Sequence, residues 1–80
     1  MKINAKTREA AANLCSAMAS WWEATGPRYF PEIIELDAMF GVEARKLAIE
    51  SKLRNPWLIE DSVADRWRMA EALIRDGWTP

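Results

Sequence analysis

The acidic pairs Glu32 and Glu35, and Asp61 and Asp65, stand three and four residues apart, a spacing that sets two carboxylates on one helical face. Two such groups could share a proton for general acid–base work or hold a cation. Both pairs also fall where helices are expected to begin, and a carboxylate there is favoured by the helix dipole without any catalytic role. Acid–base catalysis further needs a pocket, which a chain of 80 residues can hardly enclose. With no histidine and one cysteine, the usual nucleophile–base pairings and zinc-type sites lose their commonest members. Gly26, Gly41 and Gly77 are isolated, so there is no phosphate-cradling loop. Cys15 lies on the apolar side of its segment and reads as a small core hydrophobe. These residues point to no enzyme, no metal and no cofactor.

Two other constellations could recognise a partner. In "FPEIIELDAMFGVEARKLAIESKLR" a short apolar segment, Gly41, and a second amphipathic segment can be laid on a helix-turn-helix. On that template Glu43, Arg45, Lys46 and Lys52 face outward, and Arg45, Lys46 and Lys52 are the candidate nucleic-acid contacts. Residues 43–54 carry four basic and two acidic side chains, whereas 28–41 and 60–76 each carry a net −2 that would repel a duplex. Ile49 falls near a DNA-facing slot. The second constellation is "SWWEATGPRYFP", with four aromatics in a short stretch framed by glycine and proline. Adjacent helical residues point about 100° apart, so Trp21 and Trp22 cannot share one narrow stripe. Trp22 keeps step with Leu14, Cys15 and Met18, which leaves Trp21, Arg28, Tyr29 and Phe30 as a candidate protein-contact surface. Arg66, Arg68 and Arg75 beside Trp67 and Trp78 add a further aromatic–basic set, suited to cation–π packing or to a protein-binding patch.

The elements that must carry these residues follow from periodicity. Apolar Ala11, Leu14, Cys15, Met18, Trp21 and Trp22 recur at helical steps through 6–24, with Asn4 or Thr7 as cap and Gly26-Pro27 as stop. Pro31 and Glu32 open a second expected helix, 31–40. A third spans 42–54, with Val42, Leu47, Ile49 and Leu53 as its buried side, and is closed by Asn55-Pro56. The "PWLIED" connection reads as an apolar plug. A fourth helix, 63–76, starts at a Ser62–Asp65 capping pattern and buries Val63, Trp67, Ala70, Leu73 and Ile74. Gly77 is its expected left-handed terminator, and Trp78 its Schellman partner on Leu73. Period-two alternation is absent, so residues 1–80 are expected to form one all-α, compact four-helix domain.

Composition sets the boundaries. A single domain of this size buries only about 60 to 65% of its unfolded surface, so large side chains carry much of the stability. Half the residues are apolar, but thirteen of them are alanines that suit close helix contacts. Eleven basic and twelve acidic residues leave a net charge of −1, with no global pull toward nucleic acid or anionic lipid. One cysteine, no leader-like segment and no long apolar run lead to the expectation of a cytoplasmic protein that does not enter the membrane.

The opening "REAAANLCSAMASW" and the ending "AEALIRDGWTP" resemble the ends of small accessory proteins carried by tailed bacteriophages. That resemblance leaves the middle of the chain unaccounted for and brings no catalytic or binding motif. It implies a phage or mobile-element accessory factor in the host cytoplasm, one that binds and inhibits a host or defence protein, an anti-CRISPR-like role included. The expected function is therefore non-enzymatic protein–protein interaction. Helix-turn-helix DNA binding through 31–54 and self-association as a homodimer stand as alternatives.

Overall fold

The computed structural model describes residues 3–25, 41–55 and 62–80. Among these, three helices form and there is no strand: α1 (Ala5–Thr25), α2 (Val42–Leu53) and α3 (Val63–Arg75). The all-helical expectation holds. The helix expected at 31–40, the loop residues Arg28, Tyr29 and Phe30, and the plug at 56–61 lie outside the described residues.

Local chemistry explains each boundary. Asn4 caps α1, its Oδ1 accepting from the Thr7 amide at 2.7 Å. Gly41 precedes α2 with φ 90°, a left-handed value that glycine adopts without a Cβ penalty, and contributes no side-chain cap. Ser62 caps α3, its Oγ accepting from the Asp65 amide at 3.1 Å, while the carboxylate of Asp65 sits in the positive first turn. The end of α3 is a Schellman motif: the Trp78 amide donates to the Leu73 carbonyl at 3.0 Å and Gly77 to Ile74 at 3.2 Å, with Gly77 at φ 106°.

The three helices all touch one another, and α1 makes its most extensive contact with α3. Their cross-links run from Arg8 at Ile74 and Trp78 to Glu23 at Arg68, which makes the two helices antiparallel. Six of the twelve residues in the core cluster are alanines, so the helix axes can approach closely and bulk is left to Leu14, Met18, Leu47, Trp67 and Ile74. Trp22, Ile49 and Trp78 pack against this cluster from its margin.

Three residues expected inside are exposed. On α2 the buried side is Ala44, Leu47, Ala48 and Ser51, whereas Val42 and Leu53, expected inside, are 68% and 70% exposed. On α3 Ala64 is buried and Val63 is 39% exposed. In both helices the smaller residue faces in, because a methyl group lets the neighbouring backbone come nearer than a branched side chain does.

Arg8 ties the ends of this arrangement together. Its Nη1 donates to the carbonyls of Ile74 at 2.7 Å and Trp78 at 2.8 Å, supplying charge where α3 ends in carbonyls without intrahelical partners. Arg8→Ala is expected to lower unfolding stability by about 1.5–3 kcal/mol, the range for hydrogen bonds to a charged group, read by urea denaturation. Arg8→Lys should recover only part of that loss, since a flexible, strongly hydrated ammonium is held less firmly at the two carbonyls than the planar guanidinium.

Candidate functional site

Helical geometry divides α2 into two faces. Ala44, Leu47, Ala48 and Ser51 follow an i, i+3, i+4, i+7 pattern and pack inward. Val42, Lys46, Ile49 and Leu53 follow i, i+4, i+7, i+11 on the opposite side, where eleven residues amount to three turns plus about 20°. Ile49 is half-buried and reaches the margin of the core, while Val42 and Leu53 stand out at the two ends. Charges flank this stripe. Glu43, Arg45, Lys46 and Arg54 are exposed and Glu50 is half-buried, with a 4.0 Å ion pair between Arg54 and Glu50. At its N-terminal end the stripe meets an open groove of about 320 Å³ between α1 and α2, lined by Lys6, Thr7, Ala10, Gly41, Val42, Glu43 and Ala44.

The expected nucleic-acid contacts are not brought together as predicted. Arg45 and Lys46 are exposed, but Lys52 turns sideways: its Nζ lies 4.3 Å from the centroid of the Trp67 ring. A cation over an indole face in the α2–α3 contact is held by internal packing, so Lys52 does not join an outward basic row. Ile49 sits on the outer side of α2 but is half-buried against the core margin, so it is not a free side chain in a DNA-facing slot.

The expected protein-contact set is represented among the described residues by Trp21 alone. It is 9% exposed and therefore presents little surface, although it stands outside the main core cluster. Trp22, expected to be the inward ring, is half-buried and packs on that cluster from its margin, so the expected division is not kept: Trp21 is the buried ring of the pair. The two rings meet edge to face, with centroids 5.1 Å apart and planes at 86°. The indole Nε1 atoms of Trp22 and Trp67 are buried and find no hydrogen-bond partner among the described residues.

The groups with intrinsic reactivity are engaged in structure. Arg68 donates to Glu23 at 2.7 Å, and this bond holds the Glu23 carboxyl below its ordinary range. Arg75 gathers Glu71 at 3.0 Å, Glu9 at 3.3 Å and Asn13 at 3.2 Å on the α1–α3 seam. Asp65 belongs to the first turn of α3, and its proposed companion Asp61 lies outside the described residues, as do Glu32 and Glu35. Among the described residues no three histidine, cysteine or acidic side chains converge as a metal site, and no helix is long and apolar enough to cross a membrane.

Protein-family models, curated proteins and solved structures contain no match to this chain. The candidate site is consequently read from its own geometry. Sequence periodicity missed the outward stripe for a definable reason: α2 is apolar on both faces, and a list of alanines on one side and larger aliphatics on the other does not say which side is inside. The overlooked signal was the combination of Ala44, Ala48 and the small Ser51 around Leu47.

Cys15 is fully buried, and burial pushes its thiol up to about 12, with the negative charge of Glu71 adding to the effect and the positive charges of Lys52 and Arg75 opposing it. Native protein at pH 8 should react with iodoacetamide at least tenfold more slowly than protein unfolded in urea, since the thiolate is the nucleophile. A raised folded value means that the stability contributed by the neutral thiol is present below pH 9, where the unfolded thiol is still protonated, and is lost as pH rises toward 12. Urea titrations across that interval, compared with Cys15→Ala, measure it.

Proposed function

We propose that this chain is a non-enzymatic protein-interaction module that associates stoichiometrically through the outward face of α2. The observation that carries this reading is the stripe ending in Val42 and Leu53, two branched aliphatic side chains that are more than two-thirds exposed. An aliphatic stripe bordered by alternating charges has the make-up of a protein contact, an apolar centre with a polar rim. A chain with so little core to spare gains nothing from leaving such groups in water.

The setting suggested by the terminal segments is that of a phage or mobile-element accessory protein acting on a host or defence protein, with an anti-CRISPR-like role among the options. That finer reading rests on the resemblance of those segments alone. Duplex binding is supported less well than protein binding. Lys52 is committed to Trp67, and Arg45 and Lys46 share their helix with Glu43 and Glu50, which a phosphate backbone would disfavour.

A photo-crosslinking phenylalanine analogue placed at position 53 in cells carrying the chain tests the proposal. Irradiation is expected to give one discrete protein adduct that survives nuclease treatment, and no such adduct from the same group at position 72, an exposed site on α3. The same adducts from both positions, or none from position 53, would overturn the assignment of α2.

A further inference from the structure

We propose that the partner received by the outward face of α2 is a second copy of this chain, docked antiparallel about a two-fold axis near Lys46 and Ile49. The inference rests on the reading of this face as protein-binding and adds the identity of the occupant. A two-fold contact requires one patch to be complementary to itself, so that residue i meets residue j and j meets i. Few surfaces meet that demand.

The stripe meets it in its apolar residues first. Val42 and Leu53 lie within about 20° of each other around the helix and at opposite ends of α2. Laying two copies antiparallel with Val42 of one against Leu53 of the other covers both exposed side chains at both ends in one step. The same register brings Lys46 over Ile49 at the centre, where the aliphatic stem of lysine can cover the half-buried isoleucine while its ammonium stays at the edge.

The charges meet it independently. Along one border of the stripe the order is Glu43, Lys46, Glu50, Arg54, alternating negative and positive. Reversed and laid against itself in the register set by Val42 and Leu53, this border brings Glu43 near Arg54 and Lys46 near Glu50, offset along the axis by about two and one residues, roughly 3 and 1.5 Å, within reach of these side chains. Two-fold symmetry then repeats both pairs, giving four contacts of opposite sign. The existing Glu50–Arg54 pair is long, at 4.0 Å, and joins an exposed arginine to a half-buried glutamate, so little is lost in exchanging it for intermolecular pairs. On the other border Arg45 comes nearest to Lys52 of the opposing copy, where the repulsion is relieved because the Lys52 ammonium is turned onto Trp67 of its own chain.

Sedimentation velocity on purified protein, over a concentration series, tests the inference. The wild type is expected to move from 9.2 kDa toward twice that mass with rising concentration, and Leu53→Asp to stay at 9.2 kDa with its helical circular dichroism unchanged. Lys46→Glu and Glu50→Lys should each weaken dimerisation on the order of tenfold, since each turns two attractive pairs into repulsive ones. Mixing the two single variants should restore association, because in the mixed dimer every facing pair regains opposite sign, and the double variant K46E/E50K should likewise dimerise alone. Restoration on mixing cannot come from folding defects. A wild type that remains monomeric up to about 1 mM, or a dimer indifferent to L53D and to both charge reversals, would overturn the inference. A monomeric wild type that still gives a discrete protein adduct from position 53, of a mass other than twice that of the chain, would leave the protein-binding reading standing and remove the second copy.

Discussion

The guanidinium of Arg8 joins the first turn of α1 to the last turn of α3, and the packing of the described residues is organised around that antiparallel contact. It answers two electrostatic needs together. The carbonyls that end α3 lack intrahelical partners, and a buried or half-buried carbonyl left so is costly. The Schellman turn at Gly77 carries the chain back so that the Trp78 carbonyl becomes the second acceptor, and the Trp78 side chain returns to the margin of the core. A local turn and a long-range side chain thus close the same helix end.

From that clamp the α1–α3 seam runs outward through Arg75, with Glu9, Asn13 and Glu71, to Arg68 and Glu23 at the other end. These exposed pairs fix register more than they add stability, since surface ion pairs contribute little each. The apolar contribution comes from the alanine-lined centre, where close backbone approach lets Leu47 and Ile74 be completely enclosed. Within it the buried polar side chains donate locally, while Asn55 Oδ1 is left without a partner among the described residues. Ser51 Oγ donates to the Ala48 carbonyl at 2.7 Å, and Asn55 Nδ2 donates to the Ser51 carbonyl, so the end of α2 is closed by its own side chains.

The choice of small residues for the inside has a consequence on the outside. Because Ala44, Ala48 and Ser51 meet the neighbouring helices, the larger Val42 and Leu53 are left on the other face of α2. Lys52 is drawn the opposite way, its ammonium onto the Trp67 ring, which removes it from the basic row on which a DNA-reading helix would rely. What remains on the surface is an aliphatic stripe with an alternating charged border. That pattern suits association with protein, and in its two-fold self-complementarity, association with a copy of itself.

Much of the local structure was legible in the chain. The cap at Asn4, the cap at Ser62 with Asp65, and the terminator Gly77 with Trp78 all depend on interactions within a few residues, which spacing encodes directly. The all-helical class followed from the same periodicity. Which face of α2 turns inward did not, because two apolar faces have the same period and only the fit against α1 and α3 separates them. The destination of the Lys52 ammonium, the reach of Arg8 across to the end of α3, and the burial of Cys15 beside Glu71, Lys52 and Arg75 were decided by tertiary structure for a related reason. Each depends on groups far apart in sequence that are brought close by helix packing, and no spacing rule within one helix specifies them.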